Sequence, residues 1–376
     1  MARAYLDHAS SAPLRPEALE AMLPFLREHH ADPGRLHAEG RVTRFALEEA
    51  RERVAEFFGA RPREVVFTSS GTEAVNTAVW GALARAPGGG GHVVTTAVEH
   101  SCVRDAIARG GVEVTVVGVD HHGRFDASDV IGAIRADTQF VSVQLANHEV
   151  GTVQPVASVG AAARALGAIV HVDACAAAGH HVIDFHALDV DLCSVTAHKL
   201  GGPKGAGALL VRRGLRLDPF LVGGAQERAR RAGIEDVPAW VGFGAACASI
   251  TLPDEIAVQR ALIDGAARVT DSVAGVECFG PIDPDDALPN VLCLGVEGVE
   301  AEPILLALDQ HGVSVHSGSS CSSETLEPSP VLAAMGVDAD RSLRISVGWS
   351  STRADVERFV EVFPGIVDRL RGLRAP

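Results

Sequence analysis

Lysine is almost missing from this chain of 376 residues: Lys199 and Lys204 stand against 31 arginines among 33 basic side chains. At an even split about sixteen lysines are expected. Arginine serves wherever positive charge alone is needed, but its guanidinium stays protonated and cannot form a Schiff base. The lysines left in so biased a chain, both within His198-Lys199-Leu200-Gly201-Gly202-Pro203-Lys204-Gly205, are therefore candidates for amine chemistry.

Other shortages remove whole classes. Basic residues are outnumbered by 48 acidic ones, for a net charge of −15, and they form no runs. Such a balance argues against nucleic acid or an anionic membrane as partner. No uninterrupted apolar run approaches the ~18 residues of a membrane span. The opening Met1-Ala2-Arg3-Ala4-Tyr5 lacks the pattern of a secretory signal, so the cytoplasm is the expected location. The seven cysteines include no Cys-x-x-Cys, and most read as small core residues rather than disulfides or zinc ligands; no metal site is expected. The glycine run 88–91 lacks the spacing of a nucleotide P-loop and reads as a turn. No internal repeat is visible.

What is abundant is apolar, 47% of the chain, and it is patterned. Helical spacing runs over 16–29 and 41–59. Short apolar runs follow at 65–68, 93–96, 112–117, 140–143, 169–172 and 192–196, separated by alanine-rich stretches such as 156–167. Continuous apolar strands alternating with helices predict a doubly wound, mostly parallel sheet covered on both faces. Past a linker at 252–254 and an irregular stretch at 281–289 the order changes. It becomes strand 291–296, helix 302–311, strand 313–316, strand 343–347 and helix 352–373, a smaller α+β unit. The expected division is a large α/β domain over 15–253 and a small domain over 254–376 together with 1–14.

Ligands of open α/β sheets bind beyond the carboxyl ends of the strands. The residues there are Ser69-Ser70-Gly71-Thr72-Glu73, Glu99-His100, Asn147-His148-Glu149, Asp173 and His198-Lys199. Ser70-Gly71-Thr72 opening a helix suits a phosphate, though an ordinary N-cap reads equally well. Asp173 either caps the next segment or pairs a buried cation, because a lone carboxylate in a dry crevice is costly. An exposed lysine is the usual reading of a random lysine; at a strand end near Asp173, Lys199 reads as chemical. Phosphate cup, carboxylate and amine together describe a site for pyridoxal 5′-phosphate.

These residues, with Tyr5-Leu6-Asp7-His8, Val98-Glu99-His100, Ala146-Asn147-His148-Glu149, Gly224-Ala225-Gln226-Glu227-Arg228, Ser317-Gly318-Ser319-Ser320-Cys321 and Leu343-Arg344-Ile345-Ser346, resemble the class V aminotransferase fold. Within it they resemble the NifS-type cysteine desulfurases. The resemblance runs nearly the whole length and implies a fold type I enzyme that uses pyridoxal phosphate and acts as a homodimer. It would take sulfur from L-cysteine, release alanine, and carry the sulfur as a persulfide on Cys321 to an acceptor protein. Lys199 would hold the cofactor as a Schiff base and move protons, Asp173 would pair the pyridine nitrogen, and His100 would stack on the ring. Gly71, Thr72, Thr196 and His198 would surround the phosphate, His148 would face the ring, and Asn147 and Arg344 would hold the substrate, Arg344 by a bidentate pair with its carboxylate. Lys204 matches a frequent family residue without an assigned role.

The chain departs from the family pattern near the cofactor. His148 replaces an asparagine, Ala176 a glutamine that donates to the ring's phenolic oxygen, and Ile234 a threonine expected to reach the partner's phosphate. Trp349 replaces an arginine, and Ser10-Ser11 a threonine pair. Lost neutral hydrogen bonds cost about 1 kcal/mol each, so cofactor affinity is expected to fall roughly ten- to a hundredfold without being abolished. Two other readings follow from these changes: a different lyase or aminotransferase of the same fold, or a catalytically degraded scaffold for sulfur transfer.

Overall fold

The computed structural model describes residues 3–84, 91–281, 283–317 and 328–374. Thirteen strands lie in this part of the chain. They are β1 (Ala4–Tyr5), β2 (Val65–Thr68), β3 (His92–Thr96), β4 (Glu113–Val117), β5 (Thr138–Gln144), β6 (Ile169–Asp173) and β7 (Leu192–Thr196), then β8 (Gly207–Val211), β9 (Val276–Phe279), β10 (Val291–Val296), β11 (Val313–Ser314), β12 (His316–Ser317) and β13 (Ser342–Ser346).

Seven of them form one sheet in the order β2-β8-β7-β6-β5-β3-β4. From β7 to β4 every pairing is parallel. β8 runs antiparallel between β2 and β7, so one edge of the sheet departs from the parallel expectation. The parallel part explains why the strands read as unbroken apolar runs: helices cover both faces, and β2, β3, β7 and β8 are buried at every residue. The helix Val237–Ser249 is apolar all round, as a helix enclosed on all sides must be, and it packs against the helices Pro16–Arg27 and Ala38–Phe57. Among the described residues no single helix is long and apolar enough to cross a membrane.

A second, four-stranded sheet has the order β12-β13-β10-β9 and is antiparallel throughout. Its apolar cluster includes Leu294, Leu343, Ile345, Phe359 and Phe363, and it draws in Ala4 and Leu6 from the other end of the chain. β1 reaches it by pairing in parallel with β11. The segment expected to be a linker at 252–254 instead opens the helix Leu252–Ala267, with Pro253 in its first turn where a missing N–H costs nothing.

The register around Asp7 joins the two sheets' neighbourhoods. Asp7 bridges to Ser346, just past β1 and at the end of β13, while Ala12 N donates to His198 O at 2.9 Å. The N-terminal segment therefore runs from the small sheet to the strand end that carries Lys199.

Candidate active site

A cavity of about 320 Å³ opens at the carboxyl ends of the parallel strands. Its floor comes from the large sheet. Asp173, the last residue of β6, is buried, and its Oδ1 accepts from Cys175 N at 3.0 Å. Lys199, three residues past β7, donates from Nζ to Ala9 O at 2.6 Å. Both line the cavity, together with His100, His148, Thr196, His198 and, from the small sheet, Arg344.

The Ser70 segment serves as both N-cap and candidate phosphate cradle. Ser70 Oγ accepts from Glu73 N at 3.1 Å, and the Glu73 carboxylate accepts from Ser69 N at 2.8 Å, which fixes the start of the helix Gly71–Leu83. Gly71 and Thr72 then present first-turn N–H groups, which lack intrahelical partners, to the cavity. A Cβ at Gly71 would meet Cys175 Sγ at 2.5 Å, so only glycine lets the backbone approach this closely.

Four histidines around the cavity share one electrostatic fate. Burial, with the nearby Lys199 charge, lowers the pKa of His100, lowers His148 well below its ordinary value, and brings His198 to about 4. Burial and the Arg344 charge lower His316 as well. All four rings are thus neutral near pH 7. The 3.5 Å approach of His148 Nε2 to Glu149 Oε1 is accordingly not an ion pair, since burial also raises Glu149 to about 7. His100 and His148 meet edge to face with centroids 5.1 Å apart, and His100 Nδ1 accepts from Cys102 N at 3.1 Å. Thr196 Oγ1 and His198 Nδ1 are 2.9 Å apart.

Of the expected site residues, Lys199, His100, Gly71, Thr72, His148, Asp173, Thr196, His198 and Arg344 come together here. Asn147 does not join them. It is fully buried, its Oδ1 accepts from the N–H groups of Glu149 and Val150 at 2.8 and 3.0 Å, and its Nδ2 donates to Val98 O at 3.3 Å. An asparagine that ties its own turn together in this way has its polar atoms committed to backbone. Cys321 lies outside the described residues. The cavity also brings in Gln144, Cys175 and His316, which strand-end reasoning passed over. His316 enters through the pairing of β12 with β13, a contact between distant segments that no local pattern marks.

The donor set fits pyridoxal phosphate. A buried carboxylate, a lysine amine, a glycine-opened helix N-terminus and two hydroxyls converge on one cavity at the strand ends. The family model for class V aminotransferases matches residues 4–359. The cysteine desulfurase IscS of Dictyoglomus turgidum is 40% identical over 98% of this chain and 95% of its own. A cysteine desulfurase of Cereibacter sphaeroides is 41% identical over 99% of this chain and 98% of its own. The chain belongs to the class V aminotransferases, in their cysteine desulfurase branch. The family depends on pyridoxal phosphate, and the two-sheet architecture is that of fold type I. A NifS-like protein of known structure superposes with a TM-score of 0.91 at 30% identity, covering 98% of this chain and all of the other. An apo cysteine desulfurase from Thermococcus onnurineus gives 0.88 at 26% identity, covering 98% and 95%.

Proposed function

We propose that this chain removes sulfur from L-cysteine, releases alanine, and passes the sulfur from Cys321 to an acceptor protein in the cytoplasm. The observation that supports it most is the convergence of Asp173, Lys199 and Arg344, from two sheets, on one cavity. That set offers a counter-charge for a protonated ring nitrogen, an amine, and a cation for a substrate carboxylate. When bound, pyridoxal phosphate supplies the electron sink that weakens bonds at the amino acid's α and β carbons.

The rest of the chemistry falls to side chains. Asp173 would hold a proton on the ring nitrogen, and its burial would strengthen that pair. Lys199 would hold the cofactor through its amine and would move a proton at the substrate's α carbon. His100 would pack beside the ring; neutral at rest, it adds no charge to a cavity that already holds Lys199 and Arg344, and it would become cationic only on taking up a proton. The Cys321 thiolate attacks the substrate sulfur; a sulfur–sulfur bond forms, the carbon–sulfur bond breaks, and its electron pair is protonated at carbon to give alanine.

The same reading assigns residues 15–253 to cofactor binding and 254–376 with 1–14 to closing the site. It also takes the chain as a homodimer. Leu36 and Phe45 are 89% and 74% exposed, and Val222 and Ile234 are 81% and 70% exposed. The segments carrying them flank a cleft whose own lining is mostly charged, with Arg44, Glu48, Arg51 and Arg228, and exposed apolar side chains around such a cleft suit a subunit interface. A Phe45→Glu variant should sediment as a monomer.

The deciding assay measures sulfide and alanine from L-cysteine with a reductant, on wild type and Cys321→Ala. Equal amounts from wild type and neither from the variant support the reading. Turnover that survives the substitution points to a lyase, and absence of visible cofactor absorbance after adding pyridoxal phosphate leaves a scaffold. Lys199→Ala should lose the absorbance of the lysine-bound cofactor.

A further inference from the structure

Asn147 is committed to its own turn, which leaves open what assists Arg344 in reading a substrate carboxylate. β12 and β13 are antiparallel with His316 directly opposite Arg344. Directly opposed residues share one face of the sheet with Cβ atoms about 5 Å apart. Both side chains line the cavity that contains Lys199 and Asp173.

Arg344 reaches that cavity with much of its fork in use. Nη1 donates to His148 O at 3.0 Å, and Nη2 donates to Asp7 Oδ1 at 2.9 Å and to Ser10 Oγ at 2.7 Å. Nε is buried without a hydrogen-bond partner among the described residues. An incoming carboxylate therefore meets a guanidinium that already carries one acid, and a full bidentate pair needs a second donor. His316 has one to offer. Its Nδ1 accepts from Ser317 N at 2.8 Å, which puts the ring proton of the neutral imidazole on Nε2.

We propose that His316 is a substrate-binding residue whose Nε2–H takes one oxygen of the substrate's α-carboxylate beside Arg344, so that the pair selects amino acids over simple amines. The proposal rests on the reading of this cavity as an L-cysteine site. It needs no charge on His316: burial and the Arg344 cation favour the neutral ring, and the Ser317 N–H on Nδ1 leaves the ring proton on Nε2.

The test uses the holoenzyme of wild type, His316→Ala, His316→Leu and His316→Gln. KM and kcat are measured for L-cysteine, with L-alanine and ethylamine, which lacks the carboxylate, as competing ligands. Loss of the donor in the Ala and Leu variants should raise KM for L-cysteine and the inhibition constant of L-alanine about tenfold. kcat and the inhibition constant of ethylamine should change less than twofold. The Gln variant, whose amide N–H can stand in for Nε2–H, should recover most of the loss, and the Leu variant keeps the volume filled if Ala disturbs folding. Unchanged L-alanine inhibition in both the Ala and Leu variants overturns the proposal, as does an equal loss for L-alanine and ethylamine. A wild type that does not turn over L-cysteine at all overturns the functional reading, and this proposal falls with it.

Discussion

The Asp7 carboxylate lies 2.9 Å from the Arg344 guanidinium, on the arm that a substrate carboxylate would otherwise use. Arg344 is 3% exposed and Asp7 19%, so the pair is poorly screened. Asp7 thus neutralises a buried cation in the free enzyme and competes with the substrate for it. Its backbone is fixed by the bridge to Ser346 and by the hydroxyl of Tyr5, which donates to Asp7 O at 3.1 Å.

Replacing Asp7 with Asn keeps an acceptor and removes the competing charge. KM for L-cysteine should fall about three- to tenfold, whereas the fold should lose about 1–2 kcal/mol because Arg344 is left less well paired. Steady-state kinetics and a urea melt check both signs. A raised KM would show that Asp7 aligns Arg344 rather than occupying it.

Ala176 lines the cavity where the family places a glutamine. Ala176→Gln should return one neutral hydrogen bond to the ring's phenolic oxygen, worth about 1 kcal/mol. Titrating resolved enzyme with pyridoxal phosphate, followed by the cofactor's absorbance, should show about fivefold tighter binding. An unchanged affinity would mean that His148, already buried beside His100, serves that oxygen.

How far these residues could be read from sequence depends on whether their placement is local. Lys199 and Asp173 stood out because Asp173 ends an apolar strand and Lys199 follows one by three residues, and strand ends converge by the rule of the fold. β2 to β7 were visible as apolar runs for the same reason. β8 was not, because its Gly207–Val211 run follows a glycine-rich loop and reverses direction between two strands that lie far apart in the chain. His316 and Asp7 belong to the site only through β12–β13 pairing and the N-terminal segment's return to the small sheet, both long-range. Asn147 misled for the opposite reason: its position beside the site was legible, but the hydrogen bonds that turn its side chain into the protein are not a property of spacing.

The segment 226–229 stores strain that one ion pair holds in place. Glu227, Arg228 and Ala229 have φ of 47°, 60° and 61°, the left-handed region that costs a non-glycine residue roughly 1–2 kcal/mol. The Glu227 carboxylate accepts from Arg51 Nη1 and Nη2 at 2.8 and 2.7 Å and from Phe67 N at 2.9 Å, with both side chains at most 2% exposed. Glu227→Ala should cost about 3–5 kcal/mol, since it removes the bidentate partner of a buried guanidinium and leaves only Glu48, 3.4 Å from Arg51 Nε, as counter-charge. Ala229→Gly should act the other way, by about 0.5 kcal/mol after the extra freedom of glycine in the unfolded chain is subtracted. Denaturant midpoints measure both, and equal effects of the same sign would refute the strain.

Stability should peak near pH 6.5, because two sets of buried groups pull in opposite directions. Burial lowers His8, His171, His180 and His198 to about 4. Their unfolded counterparts take up protons below about 6.5. The unfolded state then binds more protons, and stability falls as the pH drops from 6.5 towards 4. Burial instead raises Glu99 to about 8 and Glu149 to about 7. These carboxyls stay protonated in the fold while the unfolded chain ionises above about 4.5, so their contribution is lost as pH rises through 7 and 8. Between 4.5 and 6.5 four histidines outweigh two carboxyls, and above 6.5 only the carboxyls act. Each group changes stability by about 1.4 kcal/mol per pH unit within its window. Glu99→Gln, neutral at every pH and close in shape, should flatten the alkaline limb between pH 7 and 8 and steepen the acid limb between 4.5 and 6.5, where one of the two opposing carboxyls is gone. Thermal unfolding across pH 5 to 8.5 measures both limbs, and an alkaline limb equally steep in the variant would show that Glu99 ionises normally in the fold.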